Sequence, residues 1–245
     1  MWLFADNMRA VFWVAVIPGA LAVACVLIGV EDRGLRVEAR STRAPIRLGD
    51  LGKFNTAFWM IVGVGVVFTL ARFSEAFLIL RSSDAGLPLA LAPLVLVVMN
   101  VVYSTGAYPA GVLSDKIAPR FILVAGLAFL VAAALALAFV PGLVGVFIGI
   151  GLWGGHMALT QGLFAKLVAA GAPEALRGSA FGVFNLATGI AMLFASVIAG
   201  LLWDRIGPAA TFVAGAGFAA LTATLLLFFV RNGLADANND RSNSD

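Results

Sequence analysis

Charged residues make up only 12% of this 245-residue chain, and cysteine and histidine occur once each, as Cys25 and His156. A soluble domain carries about 25% charged residues, so a water-exposed globule is excluded. One cysteine excludes a disulfide framework, and a lone cysteine with a lone histidine excludes a zinc site of the usual ligand count. No metal or other cofactor is expected. What is present instead is 62% hydrophobic residues, 27 glycines and a mean hydropathy of +1.02, the composition of a polytopic helical membrane protein. The pI near 9.5 points to nucleic acid only where basic residues share one surface, and their distribution assigns them another role.

A hydrocarbon core about 30 Å thick needs about 20 apolar residues per helix. Seven runs reach that length: 11–30, 56–80, 89–113, 121–140, 143–165, 180–203 and 209–230. Only the second carries formal charge, at Arg72 and Glu75. The connections alternate between basic and nearly neutral. One set holds Arg33, Arg36, Arg40, Arg43, Arg47, Lys53, Lys116, Arg120, Lys166, Arg177, Arg231 and Arg241, and the other holds Arg9, Arg81 and Arg205. The positive-inside rule puts the first set in the cytoplasm, with the amino terminus outside and the carboxyl terminus inside. The basic pI is therefore membrane topology, and nucleic acid is not an expected partner. Residues 1–30 read as a leading helix, 31–54 as a charged cytoplasmic linker, 55–231 as a six-helix bundle and 232–245, rich in Asn, Asp and Ser, as a disordered tail. An outside amino terminus without a signal peptide leads to the expectation that sequence precedes Met1.

Residues 111–119 (G-V-L-S-D-K-I-A-P) and 200–208 (G-L-L-W-D-R-I-G-P) are an internal repeat, identical at five of nine positions. Each copy joins the second and third spans of a group of three, one group being spans 2–4 and the other spans 5–7. Three crossings separate the copies, so they face opposite sides of the membrane. This is the signature of a 3+3 inverted-topology repeat, an architecture of secondary transporters. Polar residues follow the same grouping. Spans 1, 4 and 7 are almost blank and are expected to face lipid. Spans 2, 3, 5 and 6 carry Arg72 and Glu75; Asn100, Tyr103 and Ser104; Trp153, His156, Thr160 and Gln161; and Asn185, Thr188 and Ser196. Polar side chains at membrane depth face protein or water, so these four spans are expected to wall a cavity.

The stretch Gly111, Leu113, Ser114, Asp115 and Lys116 resembles the cytoplasmic loop signature G-x-L-[A/S]-D-[R/K]-x-G-R-[R/K] of the major facilitator superfamily. Ala118 stands at its second glycine, and Pro119 with Arg120 at its basic pair. The segment from Pro173 through Arg177, Gly178, Gly182, Phe184 and Asn185 to Gly200 and Asp204 is similar to the family's helix 11. The resemblance covers nearly the whole chain and maps it onto family helices 6 to 12, the carboxyl-terminal portion. It implies a transporter whose two halves rock about a central site, with family helices 7, 8, 10 and 11 lining the path. It further implies that Asp115 latches the halves on the cytoplasmic side, its partner lying in the absent half, with Gly111 allowing close approach.

Arg72 and Glu75 are the leading site candidates, because a charge at the centre of a span costs about 2.5–3.5 kcal/mol. A substrate-anion contact for Arg72 and proton or cation coupling for Glu75 stand beside a purely structural pair. His156 reads as a proton carrier or a packing residue. Asn100, Tyr103, Trp153, Gln161 and Asn185 read as cavity lining, and Trp203 as an interfacial anchor. Gly149, Gly151 and Gly154 imitate a dinucleotide fingerprint, but no strand precedes them and helix packing is the better reading. The same packing reading applies to Gly178 and Gly182.

The expectation is thus a secondary transporter for a small solute, proton-coupled and possibly exporting, in a bacterial inner membrane. A missing amino-terminal half or a second subunit completes it. The alternatives are a non-transporting fragment, a half-size protein needing a partner, a seven-helix receptor or an intramembrane enzyme.

Overall fold

The computed structural model describes nine helical positions between Trp13 and Cys25, together with residues 48–242. The chain divides into two units, Met1–Leu48 and Gly49–Asp245. Most of the expected first span and of the 31–54 linker lies outside the described residues. Among the described residues six spans are long and apolar enough to cross a membrane. The first consists of α1 (Thr56–Ala71) and α2 (Ala76–Asp84). The others are α3 (Ala92–Lys116), α4 (Pro119–Phe139), α5 (Gly142–Ala170), α6 (Arg177–Arg205) and α7 (Pro208–Ser242), with 3-10 turns at Leu48–Lys53, Leu89–Leu91 and Glu174–Leu176. The backbone of α7 continues past its membrane span, Pro208–Phe228, into the stretch expected as a disordered tail. Extending an existing helix needs only one residue fixed per hydrogen bond gained.

The span expected as one helix over 56–80 is two helices. Asn55 caps α1 by accepting the Phe58 N–H at 2.9 Å, and α1 stops at Ala71. No glycine or proline lies in the 72–75 interruption. Thr69 Oγ1 donates back to the Gly65 carbonyl at 2.7 Å, a bond that bends helices. Ser74 Oγ accepts the Ala76 N–H at 3.3 Å, competing locally with continuation of the helix. Phe73 is buried, with its ring 5.8 Å from Trp153 and 5.6 Å from Phe212. The interruption anchors Phe73 in the core while Arg72 and Glu75 keep partial exposure.

The core gathers Leu127, Leu130 and Leu137 of α4, Ile150 and Trp153 of α5, Phe212 of α7 and Leu78 of α2. This corrects the reading of spans 4 and 7 as simply lipid-facing. Half of the α4 window is buried, against 17% for α3 and for α6, while Phe121, Phe129 and Leu135 stay exposed on α4. A helix between lipid and a dry core meets apolar surroundings on both sides, so a blank sequence does not distinguish them. Thr211 and Thr222 of α7 are buried too, donating to the Ala199 and Phe218 carbonyls at 3.0 and 2.8 Å. Trp203 is packed 5.6 Å from Phe77 and 6.2 Å from Phe212, where an interfacial anchor was expected.

The two repeat copies occupy equivalent turns. In each, the helix ends at the basic residue, Lys116 or Arg205, and the next begins at proline, Pro119 or Pro208. The N–H groups of Ile117 and Ile206 both return to the carbonyl four residues earlier, Leu113 and Leu202, at 2.9 Å. The Ala118/Gly207 difference follows from backbone conformation: Ala118 has φ −56°, whereas Gly207 has φ +122°, a region that L side chains avoid. Gly149 and Gly154 serve packing. A Cβ on Gly154 would stand 2.6 Å from the Met99 carbonyl oxygen, and one on Gly149 would stand 2.5 Å from Leu137 Cγ. The space beside Gly178 is open, so the packing reading does not extend to that residue within this chain.

Candidate functional site: a charged break at the centre of the bundle

Tyr103 of α3 and Trp153 and His156 of α5 lie about 16–21 Å along their helices from the first residue, near the middle of each. The α1–α2 break reaches the same level, because Phe73, next to Arg72 in the chain, packs with its ring 5.8 Å from Trp153. Arg72 Nη2 lies 3.5 Å from Glu75 Oε1, and the two side chains are 19% and 36% exposed. The pair spans the interruption instead of sharing one face of a continuous helix.

Trp153, His156 and Thr160 do share one face, but that face is fully buried and does not wall an open cavity. His156 Nδ1 lies 2.8 Å from the Gly126 carbonyl, which fixes it as the donor, since a carbonyl only accepts. A Cβ at Gly126 would collide with Thr160 Cγ2 at 2.4 Å, so the glycine is what lets α4 approach the histidine. Thr160 donates to the His156 carbonyl at 2.9 Å. Phe68 packs 5.4 Å from the imidazole. Among the described residues, Trp153 Nε1 and His156 Nε2 are buried without hydrogen-bond partners. One is a donor and the other an acceptor, with the rings 6.4 Å apart.

The remaining expected lining residues lie elsewhere. Asn100 is exposed, donates to the Leu96 carbonyl at 2.8 Å, and shares an open groove with Ser104 and Thr105. Tyr103 is turned away from that groove, into a cleft of about 210 Å³ between α3 and α5 that also takes in Gly111, Ser114 and Lys166. The expected Asn100–Tyr103–Ser104 face is therefore divided. Gln161 and Asn185 are exposed. Sequence reasoning missed Phe68 and Phe73 because aromatics in an apolar span carry no distinguishing pattern.

At the Lys116 end, Asp115 pairs with Lys166 at 3.1 Å, both exposed. Lys166 was not expected as a site residue, and Asp115 was expected to find its partner outside this chain. The one signal for the pair is topological: both residues lie toward the ends of their helices on the same side. Gly111 has no neighbour within 4 Å of a Cβ placed on it, so the close approach expected there is not made by the described residues. Leu113 and Lys116 are exposed, and Arg120 lies over the Phe121 ring at 4.8 Å.

A bundle of six helices long and apolar enough to cross a membrane, one of them interrupted at a charged pair, defines an integral multi-pass membrane protein. Residues 2–196 match the family model of the Major Facilitator Superfamily, and the chain belongs to that family. It is 31% identical over 175 residues to an uncharacterized MFS-type transporter of Methanocaldococcus jannaschii. That alignment takes in 69% of this chain and 44% of the archaeal protein, so the chain spans less than half the length of that relative.

Proposed function

We propose that the chain forms the carboxyl-terminal portion of a secondary active transporter, a leading helix followed by a six-helix bundle, not an enzyme, moving a small solute by alternating access. The observation that carries this reading is the Arg72–Glu75 pair at a break in a membrane span. Interrupted helices are where transporters of several folds build their midplane sites. In this reading Arg72 contacts an anionic group of the solute and Glu75 takes up a proton. Protonation of Glu75 removes the counter-charge and frees Arg72 for the solute, which links the two fluxes. The cleft from Tyr103 to Lys166 is the route to the Lys116 end. That route covers about 16 Å along α3, roughly half of the hydrocarbon thickness.

The excess of basic residues at the Lys116 end supports a cytoplasmic placement of that end, in a bacterial inner membrane. The exposed faces of α3 and α6, including Val97, Val101, Leu186 and Leu193, are where a second six-helix bundle docks, from a longer chain or another subunit. The test is solute-driven proton movement in vesicles carrying the complete protein. Anionic solutes are screened first, and Arg72→Gln is expected to abolish the signal. Retention of full signal by that variant overturns the assignment.

A further inference from the structure

We infer that the groove bounded by α1, α4, α5 and α7 binds one acyl chain of an anionic phospholipid, with Arg120 holding the headgroup phosphate. The groove measures about 260 Å³ and is lined by Met60 and Val64, Leu123, Phe164 and Leu226, with Arg120 the one charged residue among its lining. From Ala57 to Val64 it follows α1 for about 10 Å. Met60, 39% exposed, forms the rim, while Val64, Leu123 and Phe164 form a buried floor. A slot open to the lipid side and apolar along its length matches a hydrocarbon chain.

Charge complementarity selects the headgroup. Arg120 lies over the Phe121 ring at 4.8 Å, and no carboxylate pairs with it among the described residues. A guanidinium on an aromatic face keeps its in-plane N–H donors free for a phosphate. Basic pockets between membrane helices recognise anionic headgroups in this way. Trp59, 42% exposed and adjacent to Met60, has the amphipathic ring that favours headgroup level, which suits a headgroup at the mouth of the groove. A protein occupant is the weaker match, because the broad apolar faces suited to a second bundle lie on α3 and α6.

The test uses the full chain purified in detergent and exchanged against vesicles of equimolar phosphatidylglycerol and phosphatidylcholine, with retained lipid counted by native mass spectrometry. Phosphatidylglycerol is expected to be retained about fivefold over phosphatidylcholine, the equivalent of roughly 1 kcal/mol for one basic residue at the surface. Arg120→Gln abolishes the preference and Arg120→Lys keeps part of it. Met60→Trp, which fills the slot from its exposed rim, lowers retention of both lipids. Equal retention by the native chain, a preference that survives Arg120→Gln, or unchanged retention in Met60→Trp overturns the inference. So does cross-linking of Met60→Cys to a second protein copy in place of lipid. Neither readout involves transport, so the inference stands or falls independently of the transport reading.

Discussion

The ammonium of Lys166 and the carboxylate of Asp115, fifty-one positions apart, meet at 3.1 Å between the last residues of α3 and the closing stretch of α5, with the Ser114 carbonyl 3.5 Å from the same nitrogen. The side chains are 52% and 76% exposed, so the pair contributes little to folding. A double-mutant cycle over Asp115→Ala and Lys166→Ala is expected to give a coupling of about 0.2–1 kcal/mol that shrinks as salt is raised. A larger, salt-insensitive coupling would mean that the pair is desolvated in the assembled protein.

Trp153 and His156 are equally buried yet are expected to respond differently. Trp153→Phe keeps a large ring and removes the unpartnered N–H, so stability stays within about 1 kcal/mol of the native value. His156→Ala loses the bond to Gly126 and the packing on Phe68, and is expected to lose about 2–4 kcal/mol. Equilibrium unfolding in mixed micelles separates the two. Equal losses contradict the assignment of Nε1 as unpaired.

Gly154 and Gly151 make a matched pair on one helix. Gly154→Ala drives a methyl against the Met99 carbonyl and is expected to destabilise by about 1–3 kcal/mol. Gly151 has open space, so Gly151→Ala is neutral or gains up to about 1 kcal/mol. Thermal melting reads both, and a reversal of the order contradicts the α3–α5 packing.

For the charged break, Glu75→Gln is expected to retain solute exchange but lose proton-driven accumulation, whereas Arg72→Gln loses both by at least about tenfold, equivalent to 1.4 kcal/mol. Vesicle flux measured with and without a proton gradient distinguishes the two phenotypes. Loss of accumulation in neither variant removes Glu75 and Arg72 from the coupling site.

These residues also show how much was legible in the sequence. Six of the spans and the paired turns at 111–119 and 200–208 were readable because each rests on local chemistry: uncharged length, and Gly, Asp and Pro at fixed offsets. The break at 72–75 was not readable, since it depends on a back-bonding Thr69, a competing Ser74 and a core contact of Phe73, none of which interrupts the hydropathy of the span. The blankness of α4 was visible but ambiguous, because lipid and a dry core select the same residues. The Asp115–Lys166 pair needed the lateral placement of α3 beside α5, which no local pattern encodes.

In the proposed transport cycle the break at Arg72–Glu75 opens in turn to each side of the membrane. Ser74→Cys, made with Cys25→Ser in the complete protein, places one thiol at that break for labelling by a membrane-impermeant reagent in right-side-out and inside-out vesicles. Labelling from both sides is expected, while Leu130→Cys in the buried core stays unlabelled. Labelling from one side only, or from neither, would contradict that cycle.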